Sequence, residues 1–506
     1  MIATKSMRTL FARSLVLAVV AFAALFAVEF YLDYASAGYP PWGDMTWREV
    51  NPSKLADILS PIARAYNNVL AMLLAMVGFA VPLTASMHSP KLIEFFLRDR
   101  ISRVVLVYIT VGAAHVLWAD YMVGPRFAPV VSISISVIGA IIGWALLLPY
   151  LFYLLRFIDP TNLVTLLRQE AERVVERMGD RAGDVDASQR ELSVRCNQLG
   201  TMLIKALDRS DREVAAEVAW AFKTLLDHYD RHKPRMPREW FKVDRGDFIG
   251  FSDDALDMMS DARTWYEMRC LLQLEHGFLR ALRGDDAAIA AISDATRVIG
   301  VRAELRHDEA ALRLAVRFFN NYLRESIKAR HLRAVYDVFH QYRKLARDLV
   351  DRPELLREIG RHFVYYANMA RMQGIVFAPQ LVVFDLGYVT RRAYERASPA
   401  APELLHEVLG LPHRTGADLH SMAVKAKLIL GAFFVYAKHA DERDQVRTNL
   451  ADVPRDQLER ARRELLAADK SFFEVTNRQL NLEYVPPERR EALVEFCESL
   501  IAGATV

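Results

Sequence analysis

The side chains that could do chemistry in this sequence are few, and they stand in apolar surroundings. His115 falls near the middle of the run from Val104 to Trp118, and Asp120 follows close to the end of that helix. Glu29 sits near the end of the run from Ser14 to Leu32, one turn before Asp33. Ser132, Ser134 and Ser136 open another such run. An ionisable group at membrane depth is costly unless paired or wetted, and it marks an ion or proton path by default. His115 therefore reads either as a neutral imidazole bonded to a neighbouring helix or as a gating or proton-linked group. Glu29 reads first as snorkelling to the interface, with a place in a polar interior as the competing role. Asp120 reads as interfacial. Glu29, His115, Ser132, Ser134 and Ser136 are thus the candidate pore or gating residues.

Four apolar spans must position them, at about 14–32, 67–85, 103–123 and 127–158. Each approaches or exceeds the roughly 20 residues that cross a bilayer. A cleaved signal peptide competes for the first, since Ala35-Ser36-Ala37 resembles a cleavage site, but the run is longer than a usual signal core. The loop from Tyr34 to Arg64, with Trp42 and Trp47, reads as lying on the outer face with one interfacial helix near Leu55 to Ile62. In the fourth span Ser132, Ser136 and Ala140 fall four apart, and Gly139 and Gly143 make a G-x-x-x-G. Small residues at this spacing let helices approach closely, so Gly139, Ala140 and Gly143 are candidate packing positions. That face packs against spans two and three of the same subunit, or forms an oligomeric seam or pore lining. Lys5, Arg8 and Arg13, then Lys91, Arg98, Arg100 and Arg103, then Arg156 and Arg168, all flank one side. That side should be cytoplasmic, with both termini on it.

The loop between spans two and three carries a pattern of its own. Ser89-Pro90-Lys91-Leu92 precedes Phe96-Leu97-Arg98-Asp99-Arg100. Ser89 can cap a helix with Pro90 at its first position, and the helix from Pro90 to Arg100 would point Lys91, Arg98, Arg100 and Arg103 at lipid headgroups or a coupled domain. With its flanking spans, this loop resembles a family of bacterial predicted membrane proteins known as a domain of unknown function. The resemblance covers about a fifth of the chain. It implies a multi-span protein of the bacterial inner membrane with a large cytoplasmic domain, and it supplies no catalytic residues.

Beyond Ile158 the composition changes. Residues 1–158 hold 12 Lys+Arg and 8 Asp+Glu, and the remainder holds 53 and 54. The second part is densely charged but balanced, a solvated surface with no preference for nucleic acid. It reads helical nearly throughout, so the fold class is all-α: a four-helix transmembrane region (1–158), a juxtamembrane helix and first lobe (159–237), and a helical-repeat-like domain of antiparallel helix pairs (238–506). No strict period is visible. Lys233 to Pro237 reads as a linker. Cys196, Cys270 and Cys497 are far apart in sequence, which argues against a disulfide framework. His406, His413 and His420 are seven apart, but Gly410 and Pro412 break any shared helical face, so no metal site is expected. Arg343, Lys344 and Arg347 read as a solvated face, and Tyr365, Tyr366, Phe433, Phe434 and Tyr436 as core.

Phosphate-loop, dinucleotide, zinc-protease and nucleophile-elbow motifs are all missing, so neither an enzyme nor a cofactor is expected. The leading expectation is a homo-oligomeric ion- or small-solute-conducting protein whose cytoplasmic helices serve assembly and gating. The alternative is a membrane-anchored helical scaffold or sensor that binds a cytoplasmic protein partner. A conducting path needs polar residues along a continuous interior, and a scaffold needs an exposed charged or apolar groove.

Overall fold

A computed structural model describes residues 20, 24–35, 52–87, 93, 96–97, 99–124, 129–180, 184–243, 245–415, 418–419, 421–471, 478 and 481–503. The chain divides into two compact units, 1–163 and 164–506. Apart from a two-residue antiparallel hairpin pairing Arg414–Thr415 with Asp418–Leu419, the described elements are helical.

Unit 1 contains α1 (24–35), α2 (Pro52–Met87), α3 (Arg100–Met122) and α4 (Val130–Ile158). Among the described residues three helices are long and apolar enough to cross a membrane, over Leu59–Thr84, Arg100–Met122 and Val130–Arg156. Of the first predicted span, residues 14–19 and 21–23 lie outside the described residues, while 24–35 are helical. One expectation is corrected. The interfacial helix near Leu55 is not separate but runs unbroken into span two as a 36-residue helix with Pro61 and Pro82 inside it. At 1.5 Å per residue it extends about 54 Å, well beyond a core of about 30 Å. Proline is tolerated there because its ring costs one backbone bond, which a packed helix of this length absorbs.

The small-residue face of α4 packs within the subunit. A Cβ at Gly143 would stand 2.3 Å from the Tyr66 hydroxyl, and one at Gly112 would stand 2.8 Å from it. Tyr66 of α2 is thus wedged between α3 and α4 at two glycines. Ala140 is buried in the same cluster with Leu73, Ile109 and Ala113. Gly139 is looser, with only the Tyr108 hydroxyl 3.9 Å from its missing Cβ. A seam between subunits along this face is therefore not available.

Unit 2 begins within α5 (Pro160–Gly179) and continues with α6 (Val185–Asp208), α7 (Arg212–His232), α8 (Asp253–Asp261), α9 (Trp265–Ala281), α10 (Asp286–Leu305), α11 (Glu309–Lys328), α12 (Leu332–Asp348), α13 (Pro353–Met372), α14 (Phe377–Glu395), α15 (Ala401–Gly410), α16 (Ser421–Ala437), α17 (Ala440–Asn449), α18 (Arg455–Ala467) and α19 (Arg490–Gly503). Helices in this stretch pack on the next and on the next but one, as α9, α10, α11 and α12 do in turn. This is the neighbour pattern of a helical-repeat array.

A period absent from the residue identities is present in the turns. Positive φ occurs at Gly284, His307 and Arg330, each 23 residues after the last, and again 23 apart at Gly374 and Ala397. After these turns the backbone N–H reaches back across the helix end, from Asp308 to the Ala303 carbonyl at 2.9 Å and from His331 to Ser326 at 3.0 Å. The same residues then cap the next helix. Asp285, Asp308 and His331 accept from the backbone N–H of Ala288, Ala311 and Ala334. A left-handed residue followed by a side-chain cap satisfies the orphan groups of both helix ends in three residues.

Candidate functional site

Several of the described polar side chains of unit 1 lie in the bundle interior. Glu29, Asp33, His115, Ser132 and Ser136 are all at most 4% exposed. The carboxylate of Glu29 from α1 contacts Nε2 of His115 from α3. On the other side of the ring, Nδ1 lies 2.9 Å from the Ser136 hydroxyl of α4. A carboxylate only accepts, so Nε2 donates to Glu29 and Nδ1 accepts from Ser136. Phe26 packs on the same imidazole at 5.3 Å between centroids and stacks on Trp118. Glu29 is therefore interior and partnered rather than snorkelling. His115 has both partners that its two alternatives required.

One turn away, Asp33 solves a backbone problem. Pro129 precedes α4 and supplies no side-chain cap, which leaves the first N–H groups of that helix unmatched. Asp33 accepts from the backbone N–H of Val131 at 2.8 Å and of Ser132 at 3.1 Å, and from the Ser132 hydroxyl at 2.5 Å. The helix N-terminus in turn favours the negative charge. Nearby, the Ser60 hydroxyl donates to Asp120 at 2.7 Å, tying α2 to α3.

Towards the opposite end of α4 the interior stays polar. The Tyr108 hydroxyl donates to the Gly139 carbonyl at 2.9 Å. Tyr66 comes next, then Tyr150 beside Ser102, then Tyr153, whose phenol bonds Asp99. Asp99 itself caps α3 by accepting from Ser102 N–H at 2.7 Å. From Ser132 to Tyr153, α4 rises about 32 Å, close to a full hydrocarbon thickness. Among the described residues, Glu29 Oε1 and the Tyr66 hydroxyl are buried with no hydrogen-bond partner. Buried groups of this kind are what bridging water satisfies in membrane helix bundles.

The structure brings together Glu29, His115, Ser132 and Ser136 and leaves out Ser134, which faces outward and bonds the Val130 carbonyl of its own helix. Ser134 as a pore residue is thereby corrected: two residues from Ser132 on a helix, it points away. Arg100 and Arg103 are exposed. Lys91 and Arg98 lie outside the described residues, as do Ser89 and Pro90. Asp99 caps a helix that starts at Arg100, so the predicted helix does not run through that residue into span three. Sequence reasoning gave no site role to Asp33, Tyr150 or Tyr153 and passed over Tyr66 and Tyr108. Their signal was a polar tip every few turns along the faces that meet in the bundle interior.

Ser136, His115 and Glu29 form a hydroxyl–imidazole–carboxylate relay. A hydrolase would also need oxyanion donors beside the serine. Ser136 sits inside α4, where backbone N–H groups are committed to the helix and are not free to act as oxyanion donors. What the arrangement can do is accept, hold and pass a proton.

Unit 2 buries charge of a different kind. Asp385 is fully buried and meets Arg478 in a bidentate pair at 2.5 and 2.9 Å, with Arg343 Nε at 3.3 Å. Arg343 is therefore not part of a solvated face. It lies over the Tyr388 ring, and Arg478 lies over Tyr336. Burial and then Arg478 push the neighbouring His340 down to about 3. Lys233 is likewise no linker residue: it is buried against Glu267 and stands 2.6 Å from Asp308. Burial and the Glu267 charge push Asp230, beside them, up to about 8. His413 bonds Asp452 at 2.8 Å and neighbours Lys427 at 3.3 Å. Burial pushes Lys427 down to about 8. His420 lies outside the described residues, and no metal-binding cluster occurs among the described ones. Cys196 and Cys270, distant in sequence, come to 3.9 Å between sulfurs, both buried and reduced. Tyr366, Phe433 and Phe434 are core, whereas Tyr365 and Tyr436 are exposed.

Fold and site together define a helical membrane protein with a polar-cored bundle and a separate helical unit. Residues 7–204 match the family described as a predicted membrane protein (DUF2254), as the loop motif implied. No curated protein matches the chain. Among solved structures, a circular tandem repeat protein with novel repeat topology and enhanced subunit contact surfaces is similar at 14% identity over 90% of this chain and 97% of that one, with a TM-score of 0.27.

Proposed function

We propose that the protein conducts protons through the interior of its bundle, with α1 as the C-terminal half of the first of four spans. The observation that carries this reading is the Glu29–His115–Ser136 relay, continued by hydroxyl groups along α4 as far as Asp99. A proton needs no open lumen; it needs exchangeable groups and water within hydrogen-bond reach. This narrows the ion- or solute-conducting expectation to the proton and places the path inside one subunit. Homo-oligomers, if formed, would use the outward apolar faces. The helical unit is the assembly and gating module, on the cytoplasmic side of a bacterial inner membrane by the distribution of Lys and Arg.

The test is proton flux in proteoliposomes carrying an internal pH dye, driven by a potassium diffusion potential. Glu29→Gln and His115→Ala are expected to lower flux by tenfold or more, while Ser134→Ala leaves it unchanged. Flux that is absent in the unaltered protein, or indifferent to Glu29 and His115, overturns the reading.

A second reading, a membrane-anchored scaffold, is favoured by one separate observation. Unit 2 carries an open groove of about 660 Å³ lined from α9, α11 and α13.

A further inference from the structure

The groove lies on the alternate helices α9, α11 and α13, which contact one another as one layer of the array. Such a layer offers an elongated surface to an extended chain. Its edge is written on α11. Arg317, Asn320, Asn321 and Arg324 all line it, and the spacing i, i+3, i+4, i+7 sets them on one face.

The charges of this stripe differ from those around it. Arg313, one turn earlier, pairs with both Glu309 and Glu358, and Lys328, one turn later, pairs with Glu325. Arg317 and Arg324 are exposed and have no carboxylate partner among the described residues. The one acid in the groove, Glu275, is taken by the Asn321 amide at 2.9 Å, and burial pushes its pKa up. Asn320 is held in place by Tyr342 and His362. Across from them Tyr365 presents a ring that is 58% exposed.

We propose that this groove binds an extended acidic segment of a partner protein, carrying two carboxylates three residues apart. The spacing follows from geometry. Seven residues of helix separate the two guanidiniums by about 10.5 Å, and one three-residue turn of an extended polyproline II chain spans about 9 Å and returns the side chain to the same face. Each guanidinium takes one carboxylate in a fork. The amides between them bond the partner's backbone, and Tyr365 covers an apolar side chain of the segment. The proposal rests on the scaffold reading and names the partner's chemistry.

The experiment uses the full chain in nanodiscs and fluorescein-labelled twelve-residue peptides. One peptide carries two Glu three residues apart in a neutral background, one has Gln in their place, and one has Lys. The Glu peptide is expected to bind about tenfold more tightly than the Gln peptide, the effect of two exposed charge pairs, and to weaken with salt. The double variant R317E/R324E is expected to lose the Glu peptide and gain the Lys peptide, a reversal that misfolding would not produce. Equal binding of the three peptides, or a preference that the reversal leaves unchanged, overturns the proposal. A photo-crosslinking residue at position 365 separates the two claims in cells. Adducts that persist in R317E/R324E refute the acidic segment and keep the scaffold. If no adduct forms and no peptide binds, both fall.

Discussion

Both units bury carboxylates, and they neutralise them in opposite ways. In unit 1, Glu29 and Asp33 are met by an imidazole, hydroxyls and backbone N–H groups. In unit 2, Asp385 is met by two guanidiniums and Glu267 by an ammonium. A guanidinium never gives up its proton in a protein, so the Asp385 pair is fixed in charge and acts as a lock. In the Glu29 cluster the partners are instead an imidazole and hydroxyls, which carry exchangeable protons on both sides of the ring. The same buried charge is thus met by fixed cations in one unit and by an imidazole, hydroxyls and backbone donors in the other.

The largest effect expected from this contrast is at the lock. Arg478→Ala strands Asp385 at zero exposure with Arg343 as its remaining cation, and should cost about 3–5 kcal/mol. Chemical denaturation followed by circular dichroism measures it, and a loss below about 1 kcal/mol would mean that Asp385 takes up a proton or water cheaply and that the contrast fails.

Packing in unit 1 should come next. Gly143→Leu must displace Tyr66, whose hydroxyl already stands inside van der Waals reach of an added Cβ, at about 1–3 kcal/mol. Gly139→Ala has room and should be nearly silent. Thermal unfolding in detergent compares the two. Equal losses would show that the whole G-x-x-x-G is tightly packed rather than Gly143 alone.

The smallest effect is a slope with pH. Asp230 is held protonated up to about 8 in the folded state against an ordinary value near 4. Between these values the folded state binds the extra proton, so its stability falls as pH rises. Asp230→Asn should flatten that part of the stability profile between pH 4 and 8. A profile identical to the parent's would show that the slope comes from other groups.

Much of this architecture is legible in the residues. Three spans follow from apolar length alone, because lipid forces each crossing segment to close its own backbone hydrogen bonds. The loop of Ser89 to Arg100 pointed to the family that residues 7–204 match. His115 and Glu29 could be singled out because their surroundings make them expensive.

What the sequence left open was decided by contact between distant segments. Glu29 reads as a snorkelling group until α1 is laid against α3, 86 residues away. The glycines of α4 read either as packing within the subunit or as a seam until Tyr66 fills the space above Gly143. The 23-residue period hides because core positions such as Thr296, Phe319 and Tyr342 are interchangeable in packing but not in identity, while the turns they follow must repeat in geometry. Apolar length is a local property and survives in one dimension. A buried partner is a property of two or three segments at once, and only the folded chain supplies it.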